Sequence, residues 1–140
     1  MATAETPDGK PTIATLTMNP ALDITTEADV VRPTDKIRCV GARYDPGGGG
    51  INVARIAHVL GTSVAAVFPI GGPAGGLITN LLDDAGVPFH AVKIAGSTRE
   101  SLTVNERSTG KQYRFVLPGP RVTFAEQAQC LYELPRLLGA

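Results

Sequence analysis

The chain has 140 residues with 13 basic and 13 acidic side chains, two cysteines and 43% hydrophobic content, a size that sets one domain or part of one. The apolar content is enough for a single core, which excludes global disorder, and zero net charge supplies no long-range field, which excludes a general nucleic-acid or membrane-surface binder. No apolar run approaches the roughly 18 residues that cross a bilayer, no secretory leader is visible and the cysteines lie far apart, so a protein of the reducing cytoplasm is expected.

Residues 1–11 are small, polar and interrupted by Pro7, Gly9 and Pro11, which predicts a disordered tail before an ordered body over residues 12–140. Residues 12–17, TIATLT, are β-branched and uncharged, the composition of a strand buried on both faces and central in a sheet. Within residues 22–43 the stretches LDITTEADV and DKIRCVGAR, separated by Arg32-Pro33-Thr34, predict two half-exposed peripheral strands. The second of these puts Lys36 and Arg38 on one face. The run Gly47-Gly48-Gly49-Gly50 then opens a helix whose Val53, Ile56, Ala57 and Leu60 recur at the spacing of one face, and Gly61 supplies its stop.

Residues 64–70 read as a second buried strand, followed by a helix starting near Pro73 with Leu77, Ile78, Leu81, Leu82 and Ala85 on one side and Gly86 at its end. A third buried strand follows at residues 89–94. This alternation is that of an α/β fold, a parallel sheet flanked by helices. Over residues 98–117 the rhythm changes to a β-hairpin: Leu102 and Val104 alternate with polar neighbours, Ser108-Thr109-Gly110 turns, and Tyr113 and Phe115 alternate again. Thr123 with Glu126 in the reciprocal capping position begins a last helix carrying Ala128, Leu131 and Leu134, which Pro135 is expected to break or kink. A crossover helix normally delivers its chain to a further strand, so the chain reads as a truncated portion of a longer domain.

The glycine run is the most informative segment. It abuts a helix directly, where glycines allow a ligand close to the backbone and the helix start offers free N–H groups, although a run of this kind also serves as a linker. It is not a dinucleotide fingerprint, because Val53 stands at the third glycine position, and Gly71 to Gly76 is not a phosphate loop of the Walker type, because Leu77 replaces the lysine. Asp23, near the carboxyl end of the first strand, is placed either as a turn residue or as an acceptor for sugar hydroxyls. Lys36, Arg38 and Arg99 either converge on a phosphate or stand apart as charges that guard sheet edges. His58, expected near the solvent side of its helix, and His90, Cys39 and Cys130 have no metal-ligand spacing.

Three segments carry a resemblance: Leu16-Thr17-Met18-Asn19-Pro20-Ala21-Leu22-Asp23; Pro46-Gly47-Gly48-Gly49-Gly50-Ile51-Asn52-Val53-Ala54-Arg55; and Thr98-Arg99 with Gln112-Tyr113-Arg114-Phe115. Together they resemble the ribokinase-like sugar kinases, and within them the PfkB branch of minor-type 6-phosphofructokinases, 1-phosphofructokinase and tagatose-6-phosphate kinase. The likeness covers about residues 12–123. It implies that Asp23 holds sugar hydroxyls, that Gly48 and Gly49 let the sugar lie against the backbone, that Asn52 hydrogen-bonds it, and that Lys36 and Arg99, with Arg38 as a further candidate, hold the phosphate already on the substrate. It also implies that residues 22–43 and 98–117 form a β-lid over the sugar, which commonly makes a homodimer contact. Such kinases use ATP and Mg²⁺, but the family's Gly-Ser-Leu-Pro-Pro turn, Asn-x-x-Glu magnesium motif and Gly-Ala-Gly-Asp anion hole, whose Asp is the general base, occur nowhere in the 140 residues. The expectation is therefore the sugar-binding half of an ATP-dependent kinase acting on a sugar phosphate such as fructose 6-phosphate, with no catalytic base, ATP or Mg²⁺ site in this chain and no activity alone. The alternative is a non-catalytic remnant that binds a sugar phosphate or pairs through its lid.

Overall fold

The computed structural model describes residues 9–139, so most of the tail expected over residues 1–11 lies outside the described residues. In chain order the elements are β1 (Ile13–Leu16), β2 (Ala21–Ala28), β3 (Val40–Gly47), α1 (Gly49–Val59), β4 (Val64–Ile70), α2 (Gly72–Asp84), β5 (Phe89–Lys93), β6 (Arg99–Glu106), β7 (Gln112–Val116) and α3 (Phe124–Leu137). They build two sheets. One is parallel in the order β1-β4-β5, and the other has the order β3-β2-β6-β7, with β2 and β6 parallel and the outer pairs antiparallel.

β4 is the centre of the parallel sheet, buried from Val64 to Pro69. Its side chains alternate between two cores. Ala66 and Phe68 pack with Ile51 and Ala54 of α1 and with Ile78 and Leu82 of α2, while Val67 packs with Val92 and with Cys130 of α3. Among the described residues β1 pairs with β4 alone and stands at one end of the three-stranded order, where its composition predicts a central place. Its residues are nevertheless covered from both sides, by α1 and by α3, and burial between helices selects the same apolar, β-branched composition as a central place in the sheet.

Two helices turn a different face inward from the one their spacing predicts. In α1 the buried residues are Ile51 and Ala54, whereas Val53, Ile56 and Leu60 are 53%, 62% and 70% exposed. In α3, Cys130 and Glu133 are buried with Leu134 and Leu137 packed beside them, while Ala128 and Leu131 face outward. Each helix carries two apolar stripes, and periodicity alone cannot choose between them. α2 follows its predicted side through Ile78 and Leu82, with Leu81 partly covered, but leaves Leu77 and Ala85 exposed. The capping box of Thr123 and Glu126 forms as expected, but Pro135 does not end α3, which runs on to Leu137. It sits in the last turn, where its missing N–H removes a single ladder bond. No helix among the described residues is long and apolar enough to cross a membrane.

The four-stranded sheet extends beyond its predicted limits, with strands at Ala21–Ala28 and Val40–Gly47. Residues 29–39 form the loop between them, turning at Pro33 and at Thr34 with φ 66°. Lys36 and Arg38 are exposed in this loop, not paired on one face of a strand. The hairpin of β6 and β7 forms as expected. Its turn is held to residues 28–31 by Glu106, which accepts from the Val31 N–H at 2.6 Å and from the Thr109 hydroxyl, and by backbone bonds from Arg107 to Ala28 and from Ser108 to Asp29.

Candidate functional site

Each strand of the four-stranded sheet alternates sides, and the alternation sorts polar from apolar residues. Asp23 stands opposite Asp45 of β3 and Ser101 of β6, Thr25 opposite Arg43 and Thr103, and Thr103 opposite Arg114 of β7. These residues share one face, which floors a cavity of about 880 Å³ together with Gly48, Gly49, Asn52 and Arg55 of the glycine turn and α1, and Arg99, Asn105 and Gln112 of the hairpin. That is within the roughly 300–1,000 Å³ typical of small-molecule sites. The opposite face carries Leu22, Ile24, Tyr44, Leu102, Val104 and Phe115. Near its base Leu22 and Ile24 join the core, while further out Tyr44, Leu102 and Phe115 are exposed.

The glycines of the turn have separate reasons to be glycine. A side chain at Gly47 would run into the Asp23 carboxylate, and one at Gly48, whose φ is 124°, would meet the Thr17 methyl group. A side chain at Gly50 would meet the Thr17 hydroxyl at 2.6 Å and the Leu16 carbonyl at 2.7 Å. At Gly49 it would meet open space on the cavity side. No side chain at Gly48 caps α1. Thr17 does this from the end of β1 instead, accepting from the Ile51 N–H at 2.8 Å. The first helical amides and the Asn52 side chain are thereby presented at the cavity.

Four arginines and two aspartates line this cavity in a chain of zero net charge. Burial pushes the Asp23 carboxyl above the usual range, with Asp45 adding to the rise, and Arg99, Arg114 and Arg55 pull the other way. Arg99 donates to the Asn19 carbonyl at 3.1 Å and to the Leu117 carbonyl at 3.4 Å, and its buried Nε finds no acceptor among the described residues. Such a guanidinium suits an anion that brings its own oxygen atoms. The structure thus brings together Asp23, Gly48, Gly49, Asn52 and Arg99, and leaves Lys36 and Arg38 outside the cavity. Asp23 lies within β2, which removes the turn reading.

Sequence reasoning missed Arg114, Arg43, Asp45, Arg55 and Thr17. Arg114 was within reach, because it lies between Tyr113 and Phe115 on a strand whose apolar residues face the other way. Asp45 and Arg43 required the true limits of β3, and Thr17 a contact between distant segments. Among the described residues no group of three or more His, Cys, Asp or Glu side chains gathers at metal-ligating range. His58 is half-buried instead of lying at the solvent side, and His90 pairs with Glu133 at 3.6 Å.

The pfkB family carbohydrate kinase profile matches residues 16–137. The chain is 70% identical over 127 residues to the ATP-dependent 6-phosphofructokinase isozyme 2 of Mycobacterium tuberculosis, covering 91% of this chain and 38% of that protein. It is 46% identical over 107 residues to the enzyme of the same name from Escherichia coli, covering 76% and 35%. The crystal structure of phosphofructokinase-2 from Escherichia coli in complex with fructose-6-phosphate superposes with a TM-score of 0.86 at 40% identity, over 90% of this chain and 42% of that one. The chain therefore spans well under half the length of these relatives.

Proposed function

Because the chain belongs to the pfkB family of carbohydrate kinases and carries part of their ribokinase-like fold, we propose that it supplies the sugar-phosphate-binding half of an ATP-dependent kinase of the 6-phosphofructokinase type. The observation that carries this reading is the cavity itself, where an aspartate without an ion-pair partner among the described residues stands beside a glycine turn and among arginines. Asp23 accepts hydrogen bonds from sugar hydroxyls, Asn52 adds an amide, and Gly49 leaves room for the ring against the helix start. Arg99 and Arg114 hold the phosphate already on the substrate. Transfer of a phosphoryl group depends on positioning and charge neutralisation, and these residues perform the positioning of the acceptor. In this reading ATP would be the donor, and Mg²⁺, where bound, would supply neutralisation of its charge. The described residues gather no carboxylate set for the metal, and no step is assigned to them through it. Exposed Tyr44, Leu102, Phe115 and Leu117 on the outer face of the lid support pairing with a second copy. Phosphofructokinase-2 from Escherichia coli is known in a tetrameric inhibited form.

A non-catalytic role, binding a sugar phosphate or pairing through the lid, is the second reading, favoured by the exposed Tyr44, Leu102, Phe115 and Leu117 of the outer face. A coupled assay with ATP, Mg²⁺ and fructose 6-phosphate separates the two readings. For the binding site itself, calorimetric titration should show tighter binding of fructose 6-phosphate than of fructose. Arg99→Ala should weaken the phosphorylated sugar by about 1.5–3 kcal/mol, roughly tenfold or more. Equal affinity for the two sugars refutes the assignment.

A further inference from the structure

Two aspartates face each other on the cavity floor, and they are treated differently. Asp45 lies opposite Asp23 in the strand register. Each Asp45 oxygen is held by its own arginine: Oδ2 accepts from Arg43 Nε at 2.8 Å, and Oδ1 lies 3.5 Å from Arg55 Nη2. Arg55 also donates from Nη1 to the Pro46 carbonyl at 3.2 Å, reaching from the second turn of α1 back over the glycine turn to the end of β3. Asp23 makes no ion pair among the described residues, although it lies on the same face of the same sheet.

We propose that Asp45 is a positioning residue that holds Arg43 and Arg55 away from Asp23 and so keeps the Asp23 carboxylate uncommitted and open to sugar hydroxyls. The inference deepens the sugar-phosphate reading and rests on it. A carboxylate beside a mobile guanidinium forms a charge-assisted pair, and a hydroxyl must then compete with a cation for the same oxygens. Asp45 offers the two arginines a nearer anion and fixes Arg55 across the turn between β3 and α1. The groups that act on Asp23 are Asp45 from β3, Arg55 from α1, Arg99 from β6 and Arg114 from β7.

The consequence is selective. Removing the Asp45 charge releases two cations into a cavity that takes an anion, so recognition of hydroxyls falls while recognition of phosphate holds or rises. The test is calorimetry of the 140-residue chain and its Asp45→Asn variant with fructose 6-phosphate and with inorganic phosphate. The variant should bind the sugar phosphate about tenfold more weakly, a loss of about 1.4 kcal/mol, and inorganic phosphate at least as well as the parent. The double variant Asp45→Asn with Arg55→Gln, which removes one released cation, should recover part of the lost affinity. A purely structural role gives no such recovery.

If the parent binds neither ligand, the sugar-phosphate reading fails and the positioning role is decided by carbon NMR titration of the Asp23 carboxyl. Its midpoint should fall in Asp45→Asn, where a like charge is lost and Arg55 turns to it, and should rise in Arg55→Gln. The second variant serves where the first does not fold. An unchanged affinity for the sugar phosphate overturns the proposal. So does an equal loss for both ligands without recovery, or a midpoint that moves against these signs.

Discussion

The parallel sheet and the four-stranded sheet use the same strand geometry for opposite ends. In β4 both faces meet helices, so every side chain from Val64 to Pro69 is buried and apolar or small. In β2 and β6 only one face meets the body, and the other carries Asp23, Thr25, Ser101, Thr103 and Asn105 into the cavity. A strand covered on both sides can hold a fold together but cannot meet a ligand, whereas a strand covered on one side can do the second at some cost to the first. The four-stranded sheet sits where the two demands meet: its base joins the core through Leu22 and Ile24, and its cavity face stays polar.

The comparison breaks most visibly if a core residue of the sheet proves dispensable. Phe68 is fully buried, with its ring 5.7 Å from that of Phe89, and Phe68→Ala should cost about 3–5 kcal/mol, a large part of a typical domain's stability. Denaturant unfolding followed by circular dichroism checks this, and a loss below about 1 kcal/mol would mean that the parallel sheet is not the main core.

The second prediction concerns the cavity floor, where the expected effect on binding is larger than that on folding. The Asp23 carboxyl is raised by burial in the folded state, so the folded chain binds more protons than the unfolded one, and stability declines as pH rises through the interval between the two values. Asp23→Asn should therefore melt at the same temperature as the parent or higher at neutral pH while losing tenfold or more in affinity for fructose 6-phosphate. Melting curves over pH 3 to 7 give the sign. A variant less stable at neutral pH than at acid pH, relative to the parent, would place Asp23 among the stabilising charges.

The smallest effect is expected at Glu106, where the sign is the reverse. Its carboxyl is held below the usual range by the Thr109 hydroxyl and the Val31 N–H, so its contribution is present above the ordinary glutamate value and is lost as pH falls from there through the lowered folded value. Glu106→Gln should speed hydrogen exchange in the hairpin turn at neutral pH and leave the parallel sheet unchanged. Equal acceleration in β4 would show that lid and sheet do not open separately.

Much of this architecture was legible because burial and turn chemistry leave strong traces. The uncharged runs at residues 64–70 and 89–94, the glycines ending α1 and α2, the hairpin alternation and the Thr123 capping box each follow from local rules. The failures came where two readings share one pattern. α1 and α3 each bear two apolar stripes, and only the sheet decides which faces inward. β1 has the composition of a central strand because helices cover it from both sides. Of the residues that line the cavity, Asp23, Gly48, Gly49, Asn52 and Arg99 are those that a resemblance in motif singles out, whereas Lys36 and Arg38 lie in a loop where the pattern predicts a strand. Arg43, Asp45 and Arg55 depend on a cross-strand register and on a reach between helix and strand, neither of which is a local property of the sequence.

The central claim, that the polar face of the lid and the glycine turn together hold a sugar phosphate, is tested most directly by amide chemical-shift mapping as fructose 6-phosphate is titrated into the labelled chain. The account predicts shifts at Gly49, Asn52, Ser101 and Arg114 that saturate together, with the outer-face residue Tyr44 and the core strand β4 unmoved. Shifts confined to the loop of residues 29–39, or to the outer face of the lid, would contradict it.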